Sequence, residues 1–191
     1  MILGINRGFV DDLYKLSFIV RYNTHPRVKD ENVATHSYYV TLFTKLICDR
    51  LKVSSSVKLE ALELALVHDI SEYVTNDITY DAKQAMPEIR DLLVQYEKQF
   101  VKLQFPEIYD IMFNSDERSQ LIQTIVKVAD IMSVNQYCRN EVMLGNEAFQ
   151  SFSVDAHVRL QNILNKLEGM LKNAKEQQPT ASETPNENTV R

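Results

Sequence analysis

The sequence predicts an all-α fold, a single-domain helical bundle, on three observations. Apolar residues recur at three- and four-residue spacing along most of the chain, no segment alternates convincingly as a strand, and four glycines and five prolines in 191 residues supply few of the turns a β-fold needs. With 45% hydrophobic and 25% charged residues, a chain of this length buries one substantial core.

The periodicity places helices over about 12–21, 33–51, 57–68, 88–102, 117–144 and 154–171. Pro26 punctuates the connection after the first. The second carries Tyr39, Val40, Phe43, Leu46 and Ile47 at helical spacing, and Ser54-Ser55-Ser56 offers an N-cap to the third. Between the third and fourth helices, residues 73–87 are polar and irregular, ending at Pro87, and are expected to form a loop over a substrate. Pro106 separates the fourth from the fifth, where Asn114-Ser115-Asp116-Glu117 resembles a capping box. The last helix lines up Leu160, Ile163, Leu164, Leu167 and Leu171 for packing onto the bundle or a second subunit. From Asn173 the composition turns to Lys, Glu, Gln, Pro, Thr, Ser and Asn, so the expected organisation is a domain over 1–172 and a disordered polar tail over 173–191.

A net charge of −5 argues against a broad nucleic-acid surface, and no apolar run approaches the roughly 18 residues of a membrane span. The N-terminus meets Arg7, Asp11 and Asp12 too early for a secretory signal, so the expected location is the cytoplasm. Cys48 and Cys138, far apart in apolar surroundings, read as reduced core thiols.

Five ionisable residues break the apolar pattern. His68-Asp69 sits in Ala65-Leu66-Val67-His68-Asp69-Ile70-Ser71-Glu72, setting an imidazole and a carboxylate against an apolar helix, donors that suit zinc, iron, cobalt, nickel or manganese. His36 lies on the stripe of Tyr39 and Val40 and is expected to point inward. Asp130, embedded in Ile125-Val126-Lys127-Val128-Ala129-Asp130-Ile131-Met132, carries a desolvation conflict that a cation removes. Glu72 follows His68 by four, so a continuous helix would turn both to one cavity. The remaining histidines, His25 and His157, read as surface or loop residues. Arg21, Arg27 and Lys29 cluster around the first loop, where they can attract a phosphate, and no glycine-rich phosphate loop is present.

These residues, with Arg21-Tyr22, Glu31-Asn32-Val33-Ala34-Thr35-His36-Ser37, Ser71-Glu72-Tyr73-Val74-Thr75-Asn76-Asp77 and Gly145-Asn146-Glu147-Ala148-Phe149, resemble the HD-domain metal-dependent phosphohydrolases. The last two blocks look like the bacterial 5′-deoxynucleotidase branch and the related viral deoxynucleoside triphosphatases. The resemblance runs from about Leu13 to Phe149. It implies that His36, His68, Asp69 and Asp130 bind one divalent cation (Mn, Co, Zn, Ni, Fe or Mg) and that Glu72 positions or activates water. It further implies Asp77 beside the scissile bond or sugar, and Arg21 at the phosphate with Lys83 as a second partner. Tyr22 stands where the branch has a tryptophan against the sugar, which weakens the expectation of strict deoxyribose selection. The implied reaction is release of phosphate from deoxynucleoside 5′-monophosphates, the alternative being release of triphosphate from deoxynucleoside triphosphates. A nucleotide-binding regulator without turnover is the lesser alternative. The implied partners are a deoxynucleotide substrate and a second copy in a homodimer or larger homo-oligomer, with no nucleic-acid polymer and no membrane.

Overall fold

The structure, a computed structural model, describes residues 6–176, and among these it is helical without a β-strand. Helix α1 (Arg7–Tyr14) is followed by a 3₁₀ turn over Lys15–Ser17, a loop, then α2 (Val33–Leu51), α3 (Ser55–Val67), the short α4 (Glu72–Thr75) and α5 (Tyr80–Ala85), α6 (Pro87–Gln104), α7 (Pro106–Phe113), α8 (Glu117–Met143), a 3₁₀ turn over Glu147–Phe149, and α9 (Gln150–Glu176).

Helix α8 is the axis of the bundle and touches α2, α3, α7 and α9. Being surrounded, it buries residues around most of its circumference, including Ile122, Ile125, Val128, Ala129 and Ile131. Val40 and Cys48 of α2, Ala61 and Leu64 of α3, Ile108 of α7 and Leu167 of α9 close the same core. Each Ile, Leu or Val buried this completely contributes roughly 1.5–3 kcal/mol. The stripe read on the last helix therefore packs onto the bundle, with Leu160, Ile163, Leu164 and Leu171 partly buried against that core.

The second, third, fourth and fifth expected helices match α2, α3, α6 and α8 to within two residues at each end. Asn32 caps α2 by accepting from Thr35 N at 2.8 Å, and Ser54 caps α3 by accepting from Val57 N at 3.3 Å. The first helix differs. It starts earlier and stops at Tyr14, because Ser17 Oγ donates to Tyr14 O and the chain beyond pairs with a distant segment. Val20 and Asn32 form an antiparallel bridge, Arg21 N donates to Glu31 O at 2.9 Å, and Val33 N donates to Ile19 O at 3.0 Å. Arg21 thus follows the bridge directly and opens a turn.

Residues 73–87 are likewise more ordered than expected, holding α4, α5 and the start of α6 at Pro87. Helix α7 was not legible as a separate element. At the start of α8 the cap is Asp116, whose two carboxylate oxygens accept from Ser119 N and Ser119 Oγ at 3.0 and 2.6 Å, in place of a Ser-to-Glu box. Helix α9 runs to Glu176, beyond Asn173, and residues 177–191 of the expected tail lie outside the described residues. Cys48 and Cys138 are buried and unpaired, and no helix among the described residues is long and apolar enough to cross a membrane.

Candidate metal centre

Three segments converge on one point. His36 is one turn into α2 and fully buried. Its Nδ1 lies 3.1 Å from Ser133 Oγ, and the tautomer that donates there presents the Nε2 lone pair to Asp130 Oδ1 at 3.2 Å and Asp69 Oδ2 at 3.7 Å. His68 is the C-cap of α3, where Nδ1 donates to Ala65 O at 2.8 Å and leaves Nε2 as the free ring nitrogen, 3.2 Å from Asp69 Oδ2. Asp130 enters from the middle of α8, its other oxygen accepting from Lys127 Nζ at 2.7 Å. Donor atoms of His36, His68 and Asp130 lie within 4.8 Å of one another.

The residues fit a divalent cation on an observation independent of spacing. The buried Nε2 atoms of both histidines have no hydrogen-bond partner, yet both face carboxylates. Buried polar atoms are rarely left so, and a metal is the partner that imidazole nitrogens and carboxylate oxygens share. Each ring is also held by its other nitrogen, as metal-ligating histidines are.

The electrostatics agree. Burial, reinforced by Arg21, lowers the pKa of His36 and keeps it neutral. Burial would do the same to His68, but the charge of Asp69 outweighs it and pushes His68 up to about 9, so without a metal a proton occupies the place of a cation. Burial would raise Asp69 and Asp130, yet His68 holds the first below the usual carboxylate range and Lys127 and His36 hold the second well below it.

Arg21 lies at the edge, its Nη1 3.3 Å from Asp69 Oδ2 and its Nε 3.4 Å from Glu31 Oε2. Burial disfavours its charge, but the surrounding acids Asp69, Asp77, Asp130 and Glu31 keep it protonated. Glu72 reaches the cavity by another route than a continuous helix. Helix α3 ends at Val67, and Glu72 opens α4 after a turn closed by Glu72 N to Asp69 O at 3.0 Å. Burial and the charges of Asp69 and Asp77 push Glu72 up to about 9. Asn76, at φ 58°, bends the chain so that Asp77 lines the same cavity.

That front cavity, about 310 Å³, holds Arg21, Tyr22, Asp69, Glu72, Asp77, Lys83 and Asp130 together. All but two of the expected site residues therefore line it, and His36 and His68 lie behind it. Tyr22 stands at φ 54° and stacks on Tyr137 at 5.1 Å, with Phe149 against its edge at 5.3 Å. Its hydroxyl is 3.6 Å from Cys138 Sγ.

Sequence reasoning missed several residues here. His25, read as a surface or loop residue, is in a loop but lines the cavity with its ring on Phe152 at 4.8 Å. Lys127, Asp155 and Arg159 also line it. Ser133 was findable in principle, three residues after Asp130 on the same helix face. Glu141 was not. Almost fully buried, it accepts from Val28 N and Lys29 N at 2.8 Å and from Asn146 Nδ2 at 2.7 Å, while Asn146 Nδ2 also donates to Pro26 O at 3.0 Å. With Gly145 at φ 90° and Phe149 buried, the Gly-Asn-Glu-Ala-Phe block thus fastens the loop after Tyr22 to the end of α8.

Known proteins resemble the chain in sequence and in fold. It is 28% identical over 149 residues to a 5′-deoxynucleotidase of Shewanella oneidensis, covering 73% of this chain and 76% of that protein. Among solved structures, an HD-domain phosphohydrolase of Listeria innocua superposes with a TM-score of 0.65 at 21% identity, covering 90% of this chain and 87% of that one. The cyanophage S-2L HD phosphohydrolase DatZ, bound to dA and one catalytic Zn²⁺ ion, gives 0.60 at 17% identity over 90% and 98% of the two chains. The family model for YfbR-like 5′-deoxynucleotidases matches residues 8–173, nearly the whole described chain, and the protein belongs to that family.

Proposed function

We propose that this deoxynucleotide phosphohydrolase acts on deoxynucleoside 5′-monophosphates, releasing deoxynucleoside and phosphate. The observation that carries the reading is the pair of unpartnered, buried imidazole nitrogens facing two carboxylates at the floor of a cavity that also holds Arg21 and Glu72. His36, His68, Asp69 and Asp130 hold one divalent ion, and zinc fits the donor set as well as manganese or cobalt. When bound, the ion polarises a phosphoryl oxygen and makes water more acidic.

The chain's own groups supply the rest. Arg21, kept charged by its acidic surroundings, donates to phosphate oxygens and offsets charge developing on the transferring group. Glu72, a carboxylate once a bound cation offsets the charges of Asp69 and Asp77 that raise its pKa, accepts the proton from the attacking water. The water oxygen bonds to phosphorus, the bond from phosphorus to the 5′ oxygen breaks, and that oxygen takes up a proton as the deoxynucleoside leaves. Lys83 flanks Glu72 and the phosphate, and Asp77 borders the sugar or the scissile bond. The Tyr22 ring, held by Tyr137 and Phe149, forms the wall against the sugar. No protein nucleophile is required.

The triphosphate reaction breaks the same bond and differs only in the room needed beyond the α-phosphate. Parallel assays with manganese or cobalt, offering deoxynucleoside mono- and triphosphates and separating orthophosphate from triphosphate, decide between them. Orthophosphate from monophosphates alone is the expected result, and no release from a metal-loaded protein would move the reading to a nucleotide-binding regulator. In the same proposal the protein works in the cytoplasm as a homodimer or larger homo-oligomer. The exposed run Tyr38, Tyr39, Leu42 and Leu46 on α2 supports self-association, and sedimentation tests it.

A further inference from the structure

One buried acid beside the site, Glu31, belongs neither to the expected metal ligands nor to the lining of the front cavity. It is 8% exposed, and its Oε2 makes no hydrogen bond, which is also the state of Arg21 Nε 3.4 Å away. A buried carboxylate is costly unless a cation faces it, and Arg21 is the cation in contact with it. Glu31 grips the same residue through its backbone, since its carbonyl accepts from Arg21 N at 2.9 Å.

The two carboxylates that hold Arg21 are not equivalent. Asp69 Oδ2, 3.3 Å from Arg21 Nη1, also faces His68 Nε2 at 3.2 Å and His36 Nε2 at 3.7 Å, so a cation held there draws on the charge that holds Arg21. Glu31 meets the ligand set only at His36 Nδ1, 4.0 Å away, the ring nitrogen that bonds Ser133 and is turned from the site. Its pull on Arg21 therefore persists when a cation is bound. It also falls on Nε, which leaves the two Nη groups, the end of the fork, to phosphate oxygens. Without Glu31 the guanidinium is left to Asp69, Asp77 and Asp130, acids that line the cavity the phosphate enters.

We infer that Glu31 is a positioning residue, which anchors Arg21 by its Nε and aims the end of the guanidinium fork at the substrate phosphate. The inference rests on the proposed role of Arg21 and adds the group that keeps this arginine available once the metal site is filled. Glu31 touches no reacting atom and acts through Arg21 alone.

The test is a double-substitution cycle read by calorimetric titration of the metal-loaded full chain with inorganic phosphate, with metal affinity from chelator competition on the same proteins. Glu31→Gln keeps the shape and removes the charge. It is expected to weaken phosphate binding about 5- to 10-fold, the difference between a charge-assisted and a neutral hydrogen bond, and to leave metal affinity within about twofold. In an Arg21→Gln background the same change should cost less than about twofold, because the group through which Glu31 acts is gone. In the native background Glu31→Asp, which keeps the charge on a shorter stem, should bind phosphate more tightly than Glu31→Gln, and this comparison decides the matter if Arg21→Gln alone does not fold. An equal loss in both backgrounds, Glu31→Asp no better than Glu31→Gln, or metal affinity falling in step with phosphate affinity overturns the inference. Phosphate binding that depends on Glu31 and Arg21 in this way, in a protein that releases no phosphate from any deoxynucleotide, would refute the proposed reaction and leave the positioning role standing. Turnover that Glu31→Gln leaves untouched does the reverse.

Discussion

Replacing Glu141 by alanine should disable the active site from outside it. Glu141 is 1% exposed and receives three donors, the backbone N–H groups of Val28 and Lys29 and the amide of Asn146. Alanine removes every acceptor at once. A buried donor left without a partner costs about 1–3 kcal/mol, and because water can enter beside an otherwise exposed loop the low end applies, giving about 3 kcal/mol for the three. For a chain of this size that corresponds to roughly 6–12 °C in melting temperature. The loop that comes free follows Arg21 and Tyr22, so kcat/KM should fall while bound metal, held by α2, α3 and α8, stays near one equivalent. Urea denaturation, metal analysis and turnover on one preparation measure all three, with exposed Glu147→Ala as a control expected within about 0.5 kcal/mol. There is a pH signature as well. Burial would raise the pKa of Glu141, but the N–H groups of Val28 and Lys29 and the Asn146 amide outweigh it and hold it below the ordinary 4.5. The stabilisation is therefore complete above pH 4.5 and lost as the pH falls through the lower folded value, a loss that the alanine variant should lack. A destabilisation below about 1 kcal/mol, or metal lost in step with activity, would refute the idea that Glu141 works by fastening the loop.

Ser133→Ala should lower metal affinity about 10- to 100-fold in a chelator competition while the fold stays intact, since the Ser133 hydroxyl hydrogen-bonds the far nitrogen of His36. Asp69→Ala should abolish stoichiometric metal by direct analysis, and retained metal would break the ligand assignment. Tyr22→Phe should leave the ratio of kcat/KM for deoxynucleotide over ribonucleotide within about twofold, because the hydroxyl faces Cys138 and the ring forms the wall; a collapse of the ratio would show that the hydroxyl reads the sugar. In the metal-free protein, His68 at about 9 against an ordinary 6.5 contributes stability that is full below pH 6.5 and lost as pH rises toward 9. Denaturation of the metal-free chain across that range should show the decline.

What the sequence discloses depends on how far apart the cause lies. His36 and Asp130 stand out because a charged or polar group on an apolar helical stripe is a local contradiction, visible within two turns, and both prove to face the same point. Glu72 was found by the right residue and the wrong geometry: four-residue spacing suggested a continuous helix, whereas α3 ends at Val67 and a separate turn delivers the carboxylate. The end of α1 was misread for the opposite reason. Helical periodicity through 21 is real, but it competes with pairing of Ile19–Arg21 to Glu31–Val33, a partner that local spacing does not show. The same limit hid the cavity. Lys127 and Arg159 lie on different helices and are brought to one cavity by the packing of α9 on α8, which the leucine stripe predicts as packing but not in register. Motifs thus reveal the atoms that a metal needs, because those atoms conflict with their own neighbourhood. A lysine or arginine on a helix face conflicts with nothing nearby, and only the tertiary arrangement turns Lys127 and Arg159 to the cavity.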